Sequence, residues 1–270
     1  MDIGQIVIAA IGGGLGAGIG AGIGAFVGQR FSENTRRIVL VICAVLGFSL
    51  GELVADQFKN RPSRADIETE LLEKSELNRL FKTHYPDDWD QYLQSVTSVR
   101  STAKARELSQ NFTMTLRRRE ADNARKATPD AMTTYLNAYA DLMVTVSGKG
   151  GDQECGDFFI LGTPPDMDDP ETVEGLNVLA TSVFRALVSG KNSDVSPRSS
   201  ATTEDWQALS SELIDNGMTV AEIDLVGNPA DKPIDGFCVA VEKFMRGMAD
   251  FDGESGDRLK TELLFAAASG

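Results

Sequence analysis

Side chains suited to catalysis are sparse in this chain. It carries one histidine, His84, and three cysteines, Cys43, Cys155 and Cys238. A single histidine excludes the zinc sites that need two. A serine or cysteine nucleophile would have to use His84 as its base, and no Gly-x-Ser-x-Gly elbow frames a serine. His84, two residues before Pro86, reads as a boundary residue at a helix start. Asp166, Asp168, Asp169, Glu171 and Glu174 gather carboxylates as a calcium loop would. However, Pro170 stands where an EF-hand needs a ligand and Asn177 where it needs the closing glutamate. Asp250-Phe251-Asp252-Gly253-Glu254 also lacks that glutamate. Both read as helix-start acids and a solvated turn. Asn111-Phe112-Thr113 matches a glycosylation sequon but is centred on an apolar helix stripe, which makes chance the better account. No catalytic, cofactor-binding or metal residue is expected, no cofactor is implied, and the chain does not read as an enzyme.

Two other groups suggest assembly. Cys155 and Cys238 are the only cysteines after Cys43. An even pair in an exported domain could be a disulfide, and the alternative is two buried thiols in a cytoplasmic one. Between Arg100 and Lys126 stand eight basic residues, including Arg117, Arg118 and Arg119, against three acidic ones, whereas Asp152 to Asp194 holds nine acidic and two basic residues. The arginines could form a basic docking patch for that acidic region, in the same fold or another subunit, or lie near anionic lipid headgroups. A solvated helix face with local pairs is the plainer reading.

The element that would position all of this is N-terminal. Ile3 to Val27 is a 25-residue part of the uncharged run between Asp2 and Arg30, along which Gly12, Gly16, Gly20, Gly24 and Gly28 recur every fourth residue. As a helix it spans roughly the 30 Å hydrocarbon core of a bilayer. Residues four apart share a helix face, and glycines there let a second backbone approach closely. Such a sequence would melt as a helix in water, but in lipid unpaired backbone groups cost far more. A second run, Ile38 to Gly51, carries Gly47 and Gly51 and extends to Ala55. A dinucleotide-binding turn at Gly12 to Ala17 is disfavoured because no βαβ unit follows. A signal peptide is disfavoured because no basic residue precedes the apolar core. The two runs resemble the glycine-zipper two-helix membrane hairpins of many bacterial envelope proteins, a likeness that implies insertion and self-packing but no activity. Arg30, Arg36 and Arg37 in the link favour its placement in the cytoplasm, with both ends outward, although Lys59, Arg61 and Arg64 blur the asymmetry.

The remainder reads as an all-α acidic domain. From Asp56 onward there are 37 acidic and 23 basic residues, so the net charge of −14 resides there and no nucleic acid is expected as a partner. Ile67, Leu71, Leu77, Leu80 and Phe81 form a first amphipathic stretch. Pro86-Asp87-Asp88 suits a helix start, and Trp89 through Leu116 reads as one helix of about eight turns. Pro129 opens a helix expected to stop at Gly148 to Gly151. Asp169-Pro170 opens another, with a mobile loop expected over Ser189 to Thr203. A helix from Trp206 stops at Asn216-Gly217, and Thr219 with Glu222 has the form of a capping box. The proline-acidic-aromatic step Pro86-Asp87-Asp88-Trp89, the long charged helix and the placing of Cys155 and Cys238 resemble uncharacterised helical proteins of proteobacteria. That likeness favours joining the two cysteines.

These features predict residues 1–57 as a glycine-rich transmembrane hairpin and 58–270 as a soluble multi-helix domain. The expected role is a structural or interaction subunit of the bacterial inner membrane, with its C-terminal domain periplasmic. It would meet membrane lipid and either form a homo-oligomer or join a membrane complex. A pore-forming or permeability-altering oligomer and a membrane-tethered hydrolase are the alternatives.

Overall fold

The structure, a computed structural model, describes residues 63–99, 101–158, 169–227 and 235–269. The expected hairpin, with Gly12, Gly16, Gly20, Gly24, Gly28, Gly47 and Gly51, lies outside the described residues. Among the described residues all regular structure is helical, and no helix there is long and apolar enough to cross a membrane.

The first three helices among the described residues form a small layer. Helix α1 (Arg64–Lys74) starts in a capping box: Ser63 accepts from the Asp66 amide, and Asp66 accepts from the Ser63 amide at 3.0 Å. Ser75 caps α2 (Glu76–His84), and Pro86 opens α3 (Pro86–Ser98), where a missing amide hydrogen costs nothing. The single long helix expected from Trp89 to Leu116 is divided. Val99 is extended, and Ser101 caps a new helix, α4 (Thr102–Glu120), by accepting from the Lys104 amide. The division folds α4 back on α3, where Tyr92 stacks on Phe112 at 4.6 Å. Phe81 meets Phe112 and Phe184 edge-on, at 5.2 and 4.7 Å, and so joins α2 to α4 and to the later helix that carries Phe184.

A 3-10 turn (Ala121–Lys126) leads to the central helix α5 (Pro129–Gly156). Tyr135, Leu136, Tyr139, Leu142, Met143 and Val146 are all buried on it, as its wide apolar stripe requires. Gly148 to Gly151 was expected to end this helix and instead kinks it. Gly151 takes φ 69°, and helix resumes to carry Cys155 inward. Helices α6 (Pro170–Lys191) and α9 (Phe237–Asp250) pack against α5. Between them in sequence come α7 (Thr203–Asp215) and α8 (Val220–Gly227), and α10 (Gly253–Ser269) follows α9. The Asp169 cap accepts from the Thr172 amide at 2.8 Å, and Glu222 and Thr219 exchange the expected capping-box bonds. Gly190 sits so close to the 3-10 turn that a Cβ there would lie 1.9 Å from the Asn123 carbonyl oxygen, so the α6 end needs glycine.

The loop expected to be mobile over Ser189 to Thr203 is a pinned strap. Helix α6 runs to Lys191, and the strap is then tied across the 3-10 turn. The Arg198 amide donates to the Arg125 carbonyl at 2.8 Å, and its guanidinium donates to the Ala127 carbonyl at 2.6 Å. Lys126 donates to the Ser193 carbonyl at 3.1 Å. These bonds satisfy backbone groups that a serine-rich segment would otherwise leave to water.

Candidate functional site

The Gly151 kink and the start of α9 are joined twice. Gly236, at φ 81°, precedes α9, and its amide donates to the Asp152 carboxylate at 2.7 Å. Three residues after Asp152 and two after Gly236, Cys155 and Cys238 form a disulfide with Cα atoms 6.0 Å apart and a sequence separation of 83. Both cysteines are buried, at 0% and 2% exposure, among the apolar side chains of α5 and α9. Sulfurs so enclosed are shielded from exchange, so the bond acts as a staple and has no room for a substrate.

The three arginines do not share a surface. Successive helix residues step about 100° around the axis, which sends Arg117 inward, where it is 0% exposed, while Arg118 faces outward. Arg119 grips Asp88 through both carboxylate oxygens, at 2.7 and 2.8 Å, and also donates to Glu120. Its guanidinium holds the Asp88 carboxyl below the usual carboxylate range. The expected basic patch is therefore dispersed. Of the acidic region, Asp169 and Glu171 take Lys149, at 3.3 and 3.0 Å, while Asp166 and Asp168 lie outside the described residues.

A deeply enclosed ion pair among the described residues went unnoticed in the sequence. Asp205, in the first turn of α7, is 2% exposed and receives both arms of Arg258 from α10, at 2.6 and 2.8 Å. The same carboxylate accepts from the Thr202 amide at 2.8 Å. Its signal was Thr202-x-x-Asp205, a capping-box spacing. The Arg258 guanidinium, with Ser255 and Thr202 behind it, holds the Asp205 carboxyl far below the usual range. On Glu222 the Lys243 ammonium, 2.6 Å away, lowers the carboxyl to about 2. Lys260 is 1% exposed and donates to the Ala249 carbonyl at 2.7 Å and to Thr133 at 3.1 Å, closing the last turn of α9. Asp252 lies 3.6 Å from the same ammonium, so the Asp250 to Glu254 turn answers to a lysine.

His84 ends α2, half-buried, beside a shallow open groove of about 300 Å³ between α2 and α6. Leu80 and Val188 floor it, Glu76 and Arg185 pair across it, and the Arg79 guanidinium donates to the Leu72 carbonyl at 2.6 Å. The ionic rim is thus already engaged. Among the described residues lining it, the one hydroxyl, that of Thr83, donates to the Arg79 carbonyl. Asp166 and Asp168 lie outside the described residues, and among those described no three acidic, cysteine or histidine side chains group as metal ligands. Comparison with family models, with curated proteins and with solved structures finds no match to this chain.

Proposed function

We propose that this chain is a membrane-anchored structural subunit. Its glycine runs insert as a hairpin and self-pack or join a membrane complex, and its acidic helical domain faces the oxidising side of the bacterial inner membrane as an interaction module. The observation that carries this reading is the buried Cys155–Cys238 bond. Such staples persist in exported domains and are rare where thiols are kept reduced. It agrees with the outward exit that Arg30, Arg36 and Arg37 favour for the second run. The engaged side chains of the helical domain support a scaffold: its arginines and lysines tie helix to helix, as Arg258 does to Asp205 and Arg185 to Glu76. Membrane lipid is the first partner, and a second copy or another membrane subunit the next. The strong negative charge turns nucleic acid away.

Location is tested in intact cells. Val195, 61% exposed on the strap, is changed to cysteine in one variant and Asn34, in the link, in another. A membrane-impermeant maleimide should label Val195→Cys and leave Asn34→Cys untouched. The reverse pattern removes the outward reading. Assembly is tested separately by placing leucine at Gly16, Gly20 and Gly24 together. The particle size in mild detergent should fall to that of a single chain, because each leucine holds the partner backbone away. An unchanged size discards glycine packing as the means of association.

A further inference from the structure

We propose that the Cys155–Cys238 bond is installed during export by a dithiol oxidase, with Cys155 carrying the mixed disulfide and Cys238 resolving it. This inference rests on the outward location argued above. The first observation is enclosure. Once α9 lies on α5, the two cysteines are 0% and 2% exposed, so an enzyme can reach them only before that contact closes. The second is order along the chain. With the N-terminal runs in the membrane, residue 155 emerges ahead of residue 238. Their sequence separation of 83 corresponds to about 4–17 s of synthesis at roughly 5–20 residues per second. The third is local chemistry. Cys155 is flanked by Gly148, Gly150, Gly151 and Gly156, poor helix formers that leave the nascent segment open to attack. Cys238 lies in the apolar run Phe237 to Val241, whose Phe237, Ala240 and Val241 side chains are buried in the core once α9 docks.

The steps balance. The Cys155 thiolate attacks the oxidase disulfide, forming one S–S bond and breaking another, and the departing oxidase sulfur takes up a proton. When α9 forms, the Asp152 carboxylate receives the Gly236 amide and aligns the two elements. The Cys238 thiolate then attacks Cys155 Sγ and expels the oxidase as its dithiol. Two electrons pass from the cysteine pair to the oxidase, and the pair loses two protons.

The test uses the full chain with Cys43→Ser as background, expressed in cells with and without their exported oxidase. Exchange is quenched with acid, free thiols are alkylated, and products are resolved without reductant. Cys238→Ser should accumulate a reducible adduct with the oxidase several-fold above Cys155→Ser. The chain retaining both cysteines should stay reduced several-fold longer in cells lacking the oxidase. Adducts that are equal, or greater on Cys238, overturn the order of attack. Oxidation at the same rate without the enzyme overturns the oxidase. Thiols that stay free while Val195→Cys is labelled from outside sink this inference alone. Free thiols with an unlabelled Val195→Cys sink the location and the inference with it.

Discussion

Replacing Cys155 and Cys238 together by alanine should lower the unfolding free energy by about 2–5 kcal/mol. The cross-link closes a loop of more than eighty residues that contains α6, α7 and α8. An unfolded chain so tied has lost most of the freedom that a linear one keeps, and the gain grows only slowly with loop length. For a domain of this size the thermal midpoint should fall by roughly 5–15 °C. Alanine is the better substitute than serine, because a hydroxyl beside Met143 and the α9 core would be buried without an assured partner. The loss should show as a lower urea midpoint of the full chain in detergent. Adding reductant to the native wild type should do nothing until denaturant opens α5 from α9, since the sulfurs are enclosed. An unchanged midpoint in the double variant would mean that the α5–α9 contact alone carries this end of the domain.

The arithmetic of cysteines named this pair, but nothing in the sequence named its partner contact. Asp152 is one acid among many, and its bond to the Gly236 amide reaches 84 residues along the chain, just past the turn that Gly151 makes at positive φ. The helical class was readable because apolar residues recur at three and four along α5 and α6, and because caps such as Asp169-Pro170 and Thr219-x-x-Glu222 depend only on local geometry. The break between α3 and α4 was hidden for a physical reason. Both helices bury residues against the same aromatic cluster, so the apolar spacing runs on across Val99 to Ser101 as if the axis were continuous. Composition misjudged the strap, since one residue, Arg198, ties it to two backbone carbonyls and that tie has no compositional signature. The three arginines were misread as a patch because a run in sequence is not a run on a helix face. Arg117 follows Ser109 and Thr113 at four-residue steps, and all three are buried. That spacing could have shown which arginine turns inward.

The Asp205–Arg258 pair should give the largest single-residue effect. Arg258→Ala should cost about 3 kcal/mol, because it leaves a carboxylate at 2% exposure without its countercharge. Asp205→Ala should cost a similar amount, with up to about 1 kcal/mol more from the lost cap on the Thr202 amide. The double variant should fall short of the sum of the two by about 1–3 kcal/mol, since each single change already breaks the shared contact. The pair also sets a pH signature. The Asp205 carboxyl is depressed in the fold, so its contribution is complete above the ordinary aspartate value of about 3.9 and is lost as pH falls from there toward the folded value. Glu222, lowered to about 2 by Lys243, loses its contribution as pH falls from about 4.3 toward that value. Urea midpoints should therefore hold steady from pH 7 to 5 and drop steeply below pH 4 in the wild type. Asp205→Ala should start lower at pH 7 and fall less steeply, because the proton that weakens the wild type has no carboxylate to bind. Equal slopes in the two proteins would assign the acid sensitivity to other carboxylates, such as Asp88 under Arg119. The contact between α7 and α10 would then rest on packing rather than charge.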